Sequence, residues 1–139
     1  MKISEVMSKD CKYCGPDDAV TQAAQLMASE DFGAVPIAKN DHLVGMLTDR
    51  DIVIRGVAKG RDVTRVKAGE LMSDNMYYCY DDEDTKAVAD NMGELQVRRL
   101  PVVNRDKRLV GIVSLGDLST EAKQRHAGEA LREISEPAH

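Results

Sequence analysis

An α/β fold built from two copies of one unit is predicted by three observations on this 139-residue chain. Short stretches recur in the same order along the sequence. Helical apolar spacing alternates with short apolar runs. A Gly-x-x-[Ser/Thr]-x-x-Asp signature follows an apolar run in each copy. Glu5-Val6-Met7-Ser8 returns as Glu70-Leu71-Met72-Ser73, Tyr13-Cys14 as Tyr78-Cys79, and Val35-Pro36-Ile37 as Leu100-Pro101-Val102. The stretch Leu43 to Asp51 returns as Leu109 to Asp117, after a one-residue slip between Asp106 and Leu109. That slip falls in a polar loop, where an insertion costs little. Each copy has about 60 residues and is marginal alone. The copies are therefore expected to share a core, packed with pseudo-twofold symmetry into one compact module with clefts between them.

The elements follow in order. Asp17-Asp18 ahead of Ala19-Val20, with Ala23, Ala24, Leu26 and Met27 following, reads as an acidic N-cap and a helix. Gly33 is expected to end it. Ala34 to Ala38 reads as a short strand, and Pro36, lacking an amide hydrogen, belongs at an edge or a strand start. Asn40-Asp41 makes a turn. Leu43 to Leu47 is an apolar run broken only by Gly45, the pattern of a buried strand. Thr48-Asp49 then caps a helix through Ile52, Val53, Ile54 and Val57 to Gly60. The second copy predicts a strand from Tyr77 to Cys79, a helix from Asp82 to Glu94, strands from Arg99 to Val103 and Leu109 to Val113, and a helix starting near Ser114-Asp117. The charged stretch before Lys67 lacks apolar periodicity and reads as a linker. The expected division is 1–60 for the first copy, 61–67 for the linker, 68–121 for the second copy and 122–139 for a helical tail.

Composition narrows the function. Aromatic residues make up only 4% of the chain, with no Trp and one Phe, so the core must be aliphatic. A net charge of −5 argues against a nucleic-acid partner, which requires a concentrated basic surface. No apolar stretch approaches the roughly 20 residues of a membrane span, and no secretory leader is visible. Three cysteines suit a reducing compartment better than a disulfide framework, so the cytoplasm is expected. Only three histidines are available, and no nucleophile elbow, phosphate-binding Walker loop or HExxH motif occurs, which argues against an enzyme.

The strand-to-helix junctions carry the chemistry: Gly45-x-x-Thr48-x-x-Asp51 and Gly111-x-x-Ser114-x-x-Asp117. A glycine in a strand admits a ligand or a backbone at close range. A hydroxyl at a helix start can cap the helix or meet a ligand oxygen. A carboxylate three residues on shares its face and accepts two hydrogen bonds, which suits the vicinal hydroxyls of a ribose. A helix N-terminus favours a phosphate. One such motif is weak, because a hydroxyl N-cap with an acid in the first turn explains it equally. Two occurrences in the same sequence context favour a site.

With these ordered elements the chain resembles a tandem pair of CBS domains, the Bateman module, over about residues 1–121. Within that family it resembles small stand-alone bacterial members through Gly45-Met46-Leu47-Thr48-Asp49-Arg50-Asp51-Ile52-Val53-Ile54, Ala68-Gly69-Glu70-Leu71, Tyr77-Tyr78 and Gln96-Val97-Arg98-Arg99. The resemblance implies two β-α-β-β-α repeats that usually pair into a homodimer. It also implies a regulatory, non-enzymatic module for an adenosine-containing ligand: AMP, ADP, ATP, NAD or S-adenosylmethionine. The implied site residues are Asp51 and Asp117 for the ribose, Thr48 and Ser114 beside ribose or phosphate, and Arg50, Arg98 and Arg99 for phosphates. No resident cofactor or metal is implied. An adenine nucleotide would be a ligand, read by an effector protein through a conformational shift. The alternative is a dimerisation scaffold with degenerate sites. For Arg98 and Arg99, ion pairing with the acidic surface is an equal reading.

The remaining features have simpler explanations. Cys11-x-x-Cys14 invites a redox or metal reading, but Cys14 and Cys79 occupy matching positions, which favours packing over either. Asp81-Asp82-Glu83-Asp84 reads as a helix cap rather than a cation site. Met7, Met27, Met72 and Met92 form two matched pairs, read as core. Tyr77, Tyr78 and Tyr80 are open to stacking on an adenine or to partial burial along a strand.

Overall fold

The computed structural model describes residues 1–118, which form two compact units. The expected tail, 122–139, lies outside the described residues. One unit contains residues 11–77 and 106–109; the other contains residues 1–10, 78–105 and 110–118 of those described. The sequence copy and the packed unit therefore differ: the leading segment of each copy belongs to the unit built on the other copy's body.

That exchange is written in matched backbone hydrogen bonds. Ile3 N donates to Glu83 O at 2.9 Å, as Ala68 N donates to Asp18 O at 2.7 Å. Ser4 N donates to Asp81 O and Gly69 N to Pro16 O, both at 2.9 Å. The turn at Ile3–Glu5 and α3 (Ala68–Leu71, numbered in chain order with the elements below) are short, so they depend on what they bury: Ile3, Ala68 and Leu71, each 0–1% exposed.

In the unit of residues 11–77, helix α1 (Val20–Glu30) buries Val20, Ala23 and Met27. Strands β1 (Ala34–Lys39) and β2 (His42–Thr48) pair antiparallel, Ala34 opposite Thr48 through Lys39 opposite His42, with a register shift between Ile37 and Ala38. Asn40 and Asp41 make the two-residue turn with φ of 51° and 65°, the backbone that matches hairpin twist. The strand at Pro36 has only a single parallel bridge, Cys14 with Ile37, on its other side, so the proline sits near an edge as expected. Cys14, Val35, Ile37, Leu47 and Leu71 fill the core with the buried face of α1.

The other unit has a three-stranded sheet in the order β3 (Cys79–Tyr80), β4 (Arg99–Val103), β5 (Leu109–Ser114), with β3 parallel to β4. Helix α4 (Thr85–Leu95) buries Val88 and Met92 against Cys79, Leu100, Val102 and Val113. The core positions correspond between units: Cys14 with Cys79, Met27 with Met92, Ile37 with Val102, Leu47 with Val113.

Three local expectations are corrected. Asp17-Asp18 does not cap α1. The N-cap is Ala19, without a side-chain bond, because the Asp18 carboxylate turns back to accept from Gly15 N at 2.7 Å. Gly33 does not end α1 either: Asp31 does, in the left-handed conformation at φ 53°, its N–H bonded to Met27 O. In the second copy Gln96 takes the same role at φ 58°. Finally, the helix after Thr48 is not uniform. Its α-helical turn α2 (Asp49–Asp51) passes into a π turn over Ile52–Gly56 and a 3₁₀ turn over Val57–Lys59, ending at Gly60 with φ 72°. Val53, Ile54 and Val57 remain 53%, 46% and 59% exposed.

Candidate functional site

The glycines of the two motifs are filled by protein. In one unit the chain at Met72-Ser73 crosses β2 beside Gly45: Met46 N donates to Ser73 O at 2.9 Å and Ser73 N to Met46 O at 2.8 Å. A Cβ on Gly45 would lie 2.6 Å from Met72 Sδ and 2.9 Å from Ser73 O. In the other unit Ser8 and Ile112 exchange the same pair of bonds, both at 2.8 Å, and a Cβ on Gly111 would lie 2.6 Å from Ser8 O and 2.8 Å from Met7 Sδ. Of the two partners a strand glycine admits, backbone is the one present. The repeated Met-Ser and the repeated Gly are two halves of one contact, which explains why they recur together.

Immediately beyond each crossing the hydroxyl and carboxylate lock into a reciprocal cap. Asp51 N donates to Thr48 Oγ1 at 3.1 Å, and Thr48 N donates to Asp51 Oδ2 at 3.0 Å. Asp117 N donates to Ser114 Oγ at 3.0 Å, and Ser114 N donates to Asp117 Oδ2 at 3.2 Å. This arrangement satisfies orphan amides at the helix start and fixes both carboxylates in place. Each carboxylate spends only Oδ2 on the cap. Asp51 Oδ1 has the Arg55 Nε at 3.9 Å, with the Asp51 side chain 16% exposed, while Asp117 is exposed.

The structure thus brings Thr48, Arg50 and Asp51 together at one junction. At the other it brings Ser114, Asp117 and Arg98 together, because Leu115 N donates to Arg98 O at 2.8 Å. Arg99 opens β4 next to Arg98 and is half-buried. The arginines are therefore divided, Arg50 in one unit and Arg98 and Arg99 in the other. Arg55 at the first junction was missed from sequence, and Asp49 was read there only as part of the helix cap. Arg55 donates from Nη1 to Leu71 O and Met72 O, both at 3.2 Å, and sits i+4 from Asp51, a spacing that signals such a pair. Asp49 donates its N–H to Gly33 O at 2.9 Å and lays its carboxylate over that glycine.

The other candidates have structural roles. Cys14 and Cys79 lie in separate cores, and burial raises both thiols above their ordinary pKa, that of Cys79 to about 12. A buried thiol held in the neutral form is a poor nucleophile and a poor metal ligand. Among the described residues no group of three or more His, Cys, Asp or Glu stands close enough to hold a metal ion. In the acidic run, Asp84 caps α4 by accepting from Lys86 N and Ala87 N. Glu83 accepts from Tyr80 N at 2.7 Å, and Asp82 receives two bonds from the Arg105 guanidinium at 2.8 and 2.7 Å. That guanidinium also stacks 4.0 Å from the Tyr80 ring centre, and Tyr78 meets Tyr80 edge to face. No helix among the described residues is long and apolar enough to cross a membrane.

Comparison with known proteins agrees with this duplicated design. The CBS domain family model matches residues 3–57 and again residues 68–123. Hypoxic response protein 1 of Mycobacterium tuberculosis is 39% identical over 134 residues, which cover 96% of this chain and 93% of that one. A crystal structure of hypoxic response protein I with two coordinated zinc ions superposes with a TM-score of 0.74 at 41% identity, covering 87% of this chain and 98% of the other. The CBS domain pair of protein MJ0100, solved in complex with 5′-methylthioadenosine and S-adenosyl-L-methionine, superposes with a TM-score of 0.70 at 25% identity, covering 90% of this chain and 98% of that one.

Proposed function

The chain belongs to the CBS-domain family, and from that premise we propose that it is a non-enzymatic regulatory module that binds an adenosine-containing ligand at its two strand-to-helix junctions. The observation that carries the reading is the duplicated carboxylate. Asp51 and Asp117 are each held rigid by a cap that uses one oxygen, leaving the other to accept from a ribose hydroxyl. Thr48 and Ser114 stand beside them at the helix start, Arg98 and Arg99 are the proposed phosphate cations of one junction, and Arg50 is the candidate cation of the other, where the acid Asp49 precedes it. The complex of the MJ0100 domain pair with two adenosine compounds supports the ligand class. AMP, ADP, ATP, NAD and S-adenosylmethionine are the candidates.

No attached catalytic apparatus is part of this reading. A ligand that prefers one arrangement of the protein shifts the population toward it, and an effector protein reads the shift. A cytoplasmic homodimer is part of the same proposal. It is supported by the odd number of cysteines, 3, and by Val53, Ile54 and Val57, an exposed apolar face that a second copy would cover. Sedimentation of the purified chain checks the dimer. The division proposed from sequence, 1–60, 61–67, 68–121 and 122–139, remains a proposal for the bounds of the sequence copies, which differ from the packed units.

One observation favours a second reading, a dimerisation scaffold with degenerate sites: each motif is already satisfied as a helix cap without any ligand. Thermal unfolding with each candidate separates the two. A ligand at a hundred times its dissociation constant stabilises by about 2.7 kcal/mol per site, a shift of several degrees. A shift with one compound, lost in the Asp51→Ala, Asp117→Ala double variant, is expected of the sensor; no shift with any of them supports the scaffold.

A further inference from the structure

We infer that the two junctions select opposite charge on the same nucleoside: the junction at Asp117 takes an adenosine 5′-phosphate, and the junction at Asp51 takes an adenosine whose 5′ substituent is uncharged or cationic. The inference rests on the nucleoside-binding reading above and adds the ligand class of each site.

The argument starts from one backbone bond made in both units. Asp49 N donates to Gly33 O at 2.9 Å, and Leu115 N donates to Arg98 O at 2.8 Å. Residues 33 and 98 are thereby set against the first residue of the helix, two positions before the carboxylate that would hold the ribose. In one unit this position carries no side chain. The Asp49 carboxylate occupies the space instead: a Cβ on Gly33 would meet Asp49 Oδ2 at 2.6 Å and Oδ1 at 3.1 Å. In the other unit the position carries Arg98, which is exposed and makes no ion pair among the described residues. Its backbone partner is Leu115, 37% exposed, where the first unit has the acid. At equivalent places in the backbone, one junction presents a carboxylate and the other a guanidinium.

The remaining charges do not cancel this difference. Arg55 is committed to the Leu71 and Met72 carbonyls and to Asp51. Arg50 is exposed where the second unit has Gly116, but it directly follows Asp49, whose charge opposes it. A guanidinium grips phosphate through paired N–H donors, whereas a carboxylate repels it and favours a sulfonium or ammonium.

The test is titration calorimetry of the full chain with three adenosine compounds that differ in 5′ charge: AMP, 5′-methylthioadenosine and S-adenosylmethionine. Asp117→Ala leaves the Asp51 junction in place, and Asp51→Ala leaves the other. Asn versions of both, which keep a cap acceptor, guard against misfolding. The Asp117→Ala protein is expected to bind one of the thio compounds at least tenfold tighter than AMP, and the Asp51→Ala protein to reverse that order. Adding Asp49→Leu to the first should raise AMP affinity several-fold. Adding Arg98→Gly to the second should lower AMP affinity at least tenfold with little change for 5′-methylthioadenosine. The same order of preference at both junctions, or substitutions that move all three compounds alike, overturns the charge assignment while leaving nucleoside binding intact. No binding of any compound to the wild-type protein overturns both.

Discussion

The two units meet the same backbone requirements with different side chains: in the cores one aliphatic residue replaces another, as Val102 stands for Ile37, and the changes of charge fall at element ends and exposed positions. Both cross a Met-Ser segment over a strand glycine, both end their long helix on a left-handed residue that is not glycine, and both close their junction with a hydroxyl–carboxylate cap. These duplicated features are steric or hydrogen-bonding necessities. What diverges is Gly33 against Arg98, Asp49 against Leu115, Arg50 against Gly116, and Ala19 against Asp84. Every one of those changes lies at an element end or on an exposed position. A duplicated fold thus keeps its internal constraints and is free to alter the charge around its sites.

The glycine crossings give the largest expected contrast. Gly111→Ala pushes a methyl to 2.6 Å from a backbone oxygen, Ser8 O, whereas Gly45→Ala meets the flexible Met72 sulfur at 2.6 Å and its backbone oxygen, Ser73 O, only at 2.9 Å. Overpacking costs about 1–3 kcal/mol. Urea unfolding is expected to place Gly111→Ala near the top of that range and Gly45→Ala below it. An equal cost would mean that the crossing at Ser73 yields no more readily than the one at Ser8.

A smaller effect comes from the helix caps. Asp84 caps α4 and Ala19 leaves α1 uncapped. Asp84→Ala should therefore destabilise by about 1 kcal/mol, and Ala19→Ser should stabilise by a few tenths to about 1 kcal/mol. Stabilisation by Ala19→Ser makes the units alike in this respect; a loss would show that Ala19 is needed for its size.

The thiols require no energy change to test. Burial is the first cause of the raised pKa of Cys14 and Cys79, with nearby carboxylates adding to it. Both stay protonated at pH 8 and become reactive only as pH climbs toward their raised values. Labelling the native protein at pH 8 with a thiol reagent should modify Cys11 first, and all three only after unfolding. Rapid labelling of three thiols in the native protein would contradict the two-core placement.

Much of this was legible in the chain. Strands were readable because Val35-Pro36-Ile37 and Leu43 to Leu47 are short apolar runs bounded by turn residues, and the junctions because their motif recurs after such runs. The exchange of leading segments was not readable. A repeat tells which stretches share local structure, and says nothing of which copy's Ile3 or Ala68 packs on which body. The left-handed caps at Asp31 and Gln96 were hidden because glycine is the expected residue there and Gly33 stands nearby for another reason, the Asp49 carboxylate. The cap at Asp18 failed by one position, since a carboxylate can turn back to Gly15 as readily as forward to the helix. The motif itself supported both capping and ligand binding. The structure makes the cap explicit and leaves one oxygen of each carboxylate for other work.

The most direct measurement of the central claim separates those two jobs. Asparagine at positions 51 and 117 keeps an oxygen for the cap and removes the carboxylate's second acceptor. Calorimetric titration of AMP and 5′-methylthioadenosine into the Asp51→Asn, Asp117→Asn protein, beside its melting temperature without ligand, is the experiment. The account predicts unchanged melting and at least tenfold weaker binding than wild type. Full-strength binding in the double variant, or loss of folding before any ligand is added, would contradict it and leave the two carboxylates as caps alone.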